Sequence, residues 1–178
     1  MTRLRHRLSL LALCAALAVS LLAPIGQGQT LQIDTLKANY VEAFLDFVRW
    51  EGELKTETAT IGVLGSREFA SHLERIAATK TKGRALRIVR VEPGDDLTGL
   101  QILFVGKGNR NDWNAIGDAC RHNQILLVGE EDGFCDAFGA VEFVVRKNRL
   151  RFRLSLENAE RCGIEVSSKL AEMAVGRS

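Results

Sequence analysis

The chain has 178 residues, 46% of them hydrophobic and 26% charged, with only two prolines. No internal repeat, low-complexity tract or Ser/Gly/Pro linker interrupts it, so the length bounds it to one domain around one core. A formal net charge of +2 is too small for the basic face that a nucleic-acid partner needs.

The N-terminus modifies that charge. "MTRLRHR" is basic, "LSLLALCAALAVSLLA" is apolar, and "PIGQGQT" ends in small residues, an order that predicts a cleavable signal peptide over 1–28 and a domain over 29–178. The rival, a retained membrane anchor, asks for ~20 apolar residues, and the run falls short. Leu13 is too bulky beside Cys14 for a lipid-attachment site. Cleavage after Gly28 removes three arginines and no acid, which leaves 21 basic against 22 acidic residues of the original 24 and 22. The excess of positive charge is thus a targeting feature.

"DTLKANYVEAFLDFVRW" predicts a helix capped by Asp34, with Leu36, Tyr40, Phe44, Phe47 and Val48 on one face. "TATIGVLG" reads as a short buried strand. "SREFASHLERIAAT" is a helix with Ser66 as cap and Phe69, Leu73 and Ile76 inward; His72 is placed on its surface. "GRALRIVRVE" is an alternating strand. "LQILFVG" is continuously apolar, as a central strand covered on both faces would be. "NRNDWNAIGDAC" is a helix and "QILLVGE" another buried strand. This alternation predicts an α/β three-layer sandwich with a largely parallel sheet. The last third changes rhythm. "AVEFVVRKNRLRFRLSL" is two alternating runs about Lys147-Asn148, an antiparallel strand pair. "ENAERCG" is a short helix, "IEV" an extended piece and "SSKLAEMA" a closing helix.

Few residues carry catalytic chemistry. Cys120 and His122 form a lone C-x-H, short of the four ligands of a zinc site. There is no nucleophile elbow, H-E-x-x-H or P-loop. Gly106 and Gly108 follow a central strand and precede a helix, where backbone N–H groups favour an anion; "VLGSREF" ends a neighbouring strand in the same way. The strand-end crevice is either a site for a small anionic ligand or a pair of plain turns. Arg149, Arg151 and Arg153 share one strand face, either solvated or a basic stripe for an acidic partner.

Taken in order, "LKANYVEAFLDFVRWEG", "IGVLGSREFASHLE", "KGRALRIVRV", "LQILFVG", "ILLVGEEDGFCDAFGAVEFV" and "RLRFRLSLENAERCGIEVSSKLAEMA" resemble the successive elements of the YfiR/HmsC-like periplasmic proteins. The shared features include an aromatic-rich opening helix with a Phe-x-x-Trp-like end, a Gly-Arg strand at Gly83-Arg84, and a Gly-Phe turn. The resemblance covers nearly the whole mature chain. It departs at Ser155, at Glu51-Gly52 after Trp50, and in a less glycine-rich turn around Cys135. It implies a periplasmic regulator, not an enzyme and without a cofactor. Such a regulator restrains an inner-membrane diguanylate cyclase through the cyclase's periplasmic sensor domain, and so sets cyclic di-GMP and biofilm formation. Arg84, Arg149, Arg151, Arg153, Gly106 and Gly108 are the candidate partner or ligand contacts. A homodimer and a small-ligand carrier or sensor remain open, as does a thiol enzyme using Cys120 or Cys135, although no C-x-x-C is present.

Three of the four cysteines lie beyond the signal segment. The strand 124–128 holds Cys120 and Cys135 roughly 16 Å apart, past the ~7 Å limit for bridged Cα atoms. Across a hairpin turning at Lys147-Asn148, facing residues sum to 295, and Cys135 and Cys162 leave it at the same end. The expected disulfide is therefore Cys135–Cys162, with Cys120 a free buried thiol.

Export has a direct check. N-terminal sequencing of the protein from a periplasmic extract should begin at or near Gln29; an intact Met1 on a membrane-bound form would contradict it.

Overall fold

The computed structural model describes residues 27–51, 57–80 and 83–176. The expected signal peptide lies outside these residues apart from Gln27 and Gly28, the first residues of helix α1 (Gln27–Phe44). Leu36 is exposed, while Ala38, Val41, Phe44 and Leu45 are buried. The inward stripe is therefore shifted from the expected one. The helix ends at Phe44, and a turn over 45–47 takes Phe47 and Val48 out of its period. Val48 and Trp50, expected at the end of that helix, are buried positions of strand β1 (Val48–Trp50).

Six strands form the main sheet. They are β2 (Thr58–Leu64), β3 (Ala85–Val91), β4 (Ile102–Val105), β5 (Leu126–Gly129), β6 (Val141–Arg146) and β7 (Arg149–Leu154), in the order β3-β2-β4-β5-β6-β7. All neighbours are parallel except β6 and β7. That is the expected largely parallel sheet with an antiparallel pair toward the C-terminus. β4 and β5 are buried at every position, as their unbroken apolar runs require of strands covered on both faces. The hairpin turns at Lys147-Asn148, both left-handed (φ 50° and 61°), the pair of positive φ angles that a two-residue type I′ turn demands. Its register follows the expected sum of 295, from Val141↔Leu154 to Arg146↔Arg149.

Helices α2 (Arg67–Thr79) and α3 (Trp113–Asn123) flank the sheet. Ser66 caps α2 by accepting from the Phe69 amide. Short helices α4 (Phe134–Ala137), α5 (Leu156–Arg161) and α6 (Ser168–Met173) complete the chain. Strand β8 (Ile164–Val166) pairs antiparallel with β1, Trp50 facing Ile164. The core has two parts, as a sheet covered on both faces requires. In the larger, Tyr40 and Phe44 of α1 meet Phe143 and Phe152 with centroids 5.5–6.2 Å apart. The smaller gathers Leu103, Leu127, Trp113, Ile116 and Phe134.

Phe134 is fully buried, with its ring 5.4 Å from Trp113 and 5.2 Å from Phe138. It lies over two glycines: a Cβ at Gly129 or Gly139 would stand 2.5 or 2.1 Å from ring atom Cδ1. The Gly-Phe turn is thus a packing device, with the missing side chains making room for the ring. Gly139→Ala should destabilise the protein by ~1–3 kcal/mol through forced repacking, read as a lower urea midpoint with the slope unchanged.

Candidate functional site

A parallel sheet offers ligands a crevice where successive connections leave in opposite directions, which here is between the C-terminal ends of β2 and β4. In this structure that crevice is filled. The Gly106 amide donates to Leu64 O at 2.8 Å, and Asn109 Nδ2 donates to Gly106 O at 2.9 Å. A Cβ on Gly65 would stand 2.2 Å from that same nitrogen. The Gly108 amide donates to a carboxylate of its own chain, Glu131 Oε2 at 3.2 Å, and Arg110 Nε also binds Glu131. Of the two glycine amides, that of Gly108 thus meets a carboxylate of its own chain, while that of Gly106 extends the pairing with β2.

The larger opening lies further along the sheet. A cleft of about 510 Å³ is lined by Lys37 of α1, Lys107 after β4, Glu130 and Asp132 after β5, and residues 142–146 and Arg153 of the hairpin. Two ion-pair systems form its floor. Lys37 is buried (8% exposed) and donates to Asp34 Oδ1 at 2.9 Å and Glu130 Oε2 at 2.5 Å. Burial alone would lower its pKa, but the hydrogen bonds to the two carboxylates outweigh that and raise it. Glu142 is 2% exposed and accepts from the Cys135 amide at 3.0 Å and from Arg153 Nη1 at 3.2 Å. Arg153 also binds both oxygens of Asp136, at 3.0 and 2.5 Å, a bidentate fork. That hydrogen-bonded fork holds Asp136 below the usual carboxylate range.

The expected site residues fall into three places. Arg153 lies in the cleft, and Lys107, between Gly106 and Gly108, lines its rim. Arg149 and Arg151 lie beside it, with Arg146 and Lys147, around a second opening at the hairpin tip. Arg84 precedes β3, at the opposite edge of the sheet, five strand spacings or roughly 24 Å away. One contact surface cannot readily join it to the others. The sequence reading missed Lys37, Glu130, Glu142 and Arg146. Glu142 had a signal, because the hairpin register sets it opposite Arg153.

His72, expected on the surface, is buried. Its Nδ1 lies 3.2 Å from Thr35 Oγ1 and also contacts Arg75. It occupies the same inward stripe as Phe69, Leu73 and Ile76, one turn from each end. The Cys135–Cys162 bridge expected from the hairpin register is also absent: Cys120, Cys135 and Cys162 are buried free thiols. The ladder does extend one step past its last rung, with Ser155 N donating to Ala140 O. Beyond it both strands turn into helices, and Asn158 Nδ2 bonds Cys135 O and Gly139 O at 2.9 and 3.0 Å. Cys135 Sγ faces Ala140 O and Arg153 O. Burial pushes Cys135 up to about 12 and raises Cys120 and Cys162 as well. Burial of this kind disfavours the thiolate, the form in which a cysteine reacts. Among the described residues no cluster of His, Cys, Asp and Glu could hold a metal ion, and no helix is long and apolar enough to cross a membrane.

These features define a three-layer α/β domain with a charged cleft beside its C-terminal hairpin. The YfiR/HmsC-like family (DUF4154) matches residues 34–175, and the chain belongs to that family. Membership supports, at the level of the family, a periplasmic regulatory role in cyclic di-GMP signalling. No curated protein matches the chain. Among solved structures, it resembles a conserved domain protein from Vibrio cholerae O1 biovar El Tor strain N16961 (TM-score 0.59, 10% identity, 82% of this chain and 60% of that one). It also resembles an ABC domain from Streptococcus pneumonia, solved in complex with L-Trp (TM-score 0.55, 10% identity, 82% and 60%). At such identity the likeness is one of fold, and this chain spans about 60% of each of those chains.

Removing the Arg153 cation tests the cleft floor. Arg153→Ala leaves Glu142 buried with only the Cys135 amide, and should cost ~1–3 kcal/mol. Adding Glu142→Gln should recover part of that loss in a double-mutant cycle. Because Asp136 has a depressed pKa, its contribution is present above the unfolded carboxylate value near 3.8 and lost as pH falls through the folded one. Arg153→Ala should therefore also flatten the acid limb of the stability curve.

Proposed function

We propose that this protein restrains an inner-membrane diguanylate cyclase by direct contact with the cyclase's periplasmic sensor domain, and so lowers cyclic di-GMP and biofilm formation. The observation that carries this reading is the family match, which spans nearly the whole described domain. The hairpin agrees with a protein partner: Arg146, Lys147, Arg149 and Arg151 are exposed, and no ion pair engages them among the described residues. Exposed cations of this kind steer an acidic surface into register.

A second reading has one observation of its own. Lys107 and Arg146 line the cleft without an ion pair among the described residues, so a small anion could bind there and modulate the contact. Under this reading the protein is a ligand-responsive sensor, and an anion that binds should raise its melting temperature.

Affinity purification of solubilised membranes on the purified protein, together with cyclic di-GMP measurement after deletion of its gene, separates the two. Recovery of a diguanylate cyclase and a rise in cyclic di-GMP are expected. Unchanged cyclic di-GMP with no membrane partner recovered would leave the ligand sensor as the better account.

A further inference from the structure

The cleft is lined by every residue from Glu142 to Arg146. Successive residues of a strand point to opposite faces, so a cavity touching five in a row runs along the strand's edge. The sheet explains this edge. β5 ends at Gly129, opposite Glu142, while β6 continues to Arg146. β4 ends level with β5, at Val105 opposite Gly129. Past that point β6 has β7 on one side and no strand on the other.

The register shows which backbone groups are left. Ser155 N donates to Ala140 O, so the even-numbered residues of β6 exchange hydrogen bonds with β7. The odd-numbered ones, Val141, Phe143 and Val145, face β5. With β5 ended, the Phe143 carbonyl and the Val145 N–H and carbonyl have no strand to pair with, and Val145 is 48% exposed. The far side of β7 is already covered, by Val175 N to Phe152 O and Leu154 N to Gly176 O. β6 thus has a sheet position left empty inside the sheet, on the side that β5 vacates.

We infer that this half-strand edge is a docking site for an extended acidic segment of a partner protein, added beside β6 in the position β5 vacates. Backbone pairing supplies the affinity common to strand addition, and flanking side chains supply selectivity. Among the described residues, Lys107 on one wall and Arg146 on the other stand without ion pairs, against the one carboxylate of the lining, Asp132, that also has none, whereas Lys37 and Arg153 are neutralised by Glu130, Glu142 and Asp136. Arg149 and Arg151 extend the positive field past the tip. A second copy of this chain fits poorly, because edge-to-edge pairing would bring two basic hairpins together. The opposing idea is that the charges only keep the edge from pairing. The inference rests on the partner-binding reading above and specifies where that contact falls.

The test uses a fluorescein-labelled eight-residue Glu-Val alternating peptide, with a Lys-Val peptide as control, titrated into the purified protein at low and high salt. Saturable binding of the Glu-Val peptide is expected, weakened about tenfold or more by Arg146→Glu/Arg151→Glu and by added salt. Amide hydrogen exchange should show Val145 becoming protected in the complex, while Val144 and Arg146, already paired with β7, stay protected throughout. Val145→Pro, which removes the free N–H, should abolish binding. No saturable binding, equal binding of the Lys-Val peptide, or binding without protection of Val145 overturns the docking site. The partner reading is decided separately. Val145→Pro protein that folds and still captures a membrane partner as well as wild type refutes this surface alone. Peptide binding with Val145 protection, but no partner recovered, upholds the surface and removes the cyclase.

Discussion

One buried carboxylate holds the C-terminal half together. Glu142 sits inside the hairpin, almost without solvent, and a charge there is tolerable only with donors around it. It has two, the Cys135 amide and Arg153, and each belongs to a different piece of chain. The amide is in the short helix that carries Phe134 under Trp113. The guanidinium is on β7 and reaches onward to Asp136 of that same helix. Helix, β6 and β7 thus satisfy one another, and the floor of the cleft is what their mutual satisfaction leaves.

Most of the fold was legible in the residues, for identifiable reasons. Unbroken apolar runs mark β4 and β5 because both faces of these strands are covered. Lys147-Asn148 marks the hairpin because few residues accept two left-handed angles in succession. Where the reading failed, tertiary pairing had overridden local pattern. Phe47 and Val48 extend a helical period, but β8 lies close enough to draw 48–50 into a strand. His72 reads as polar, yet its position on the inward stripe decides its burial. The Cys135–Cys162 pairing assumed that a correct register persists past the last rung, and two short helices end it there. The cleft was harder to see. Lys37 and Glu130 are 93 residues apart, and no periodicity links such a pair.

The fold is shared with proteins of quite different description, so it says little about binding by itself. The distinguishing features are local. At the crevice where α/β sheets usually receive ligands, this chain has Asn109 and the Glu131 carboxylate. Its open, charged space lies instead beside a hairpin whose far strand edge is closed by residues 175–176. Cations and backbone are presented outward there, while the thiols and the histidine of α2 are packed away.

The smallest sheet has the widest reach. β1 and β8 share three rungs, from Val48↔Val166 to Trp50↔Ile164, and between them lies the entire six-stranded sheet. Joining such distant segments carries a large loop-closure entropy for very few hydrogen bonds. In kinetic terms, the β6–β7 hairpin can form in microseconds, whereas the clasp has to bring together segments more than a hundred residues apart in sequence. With the sheet folded, opening the clasp breaks only these few rungs and uncovers Trp50 and Ile164. Strand β1 and the short run ahead of α6 would then loosen as one unit, with the parallel strands still paired.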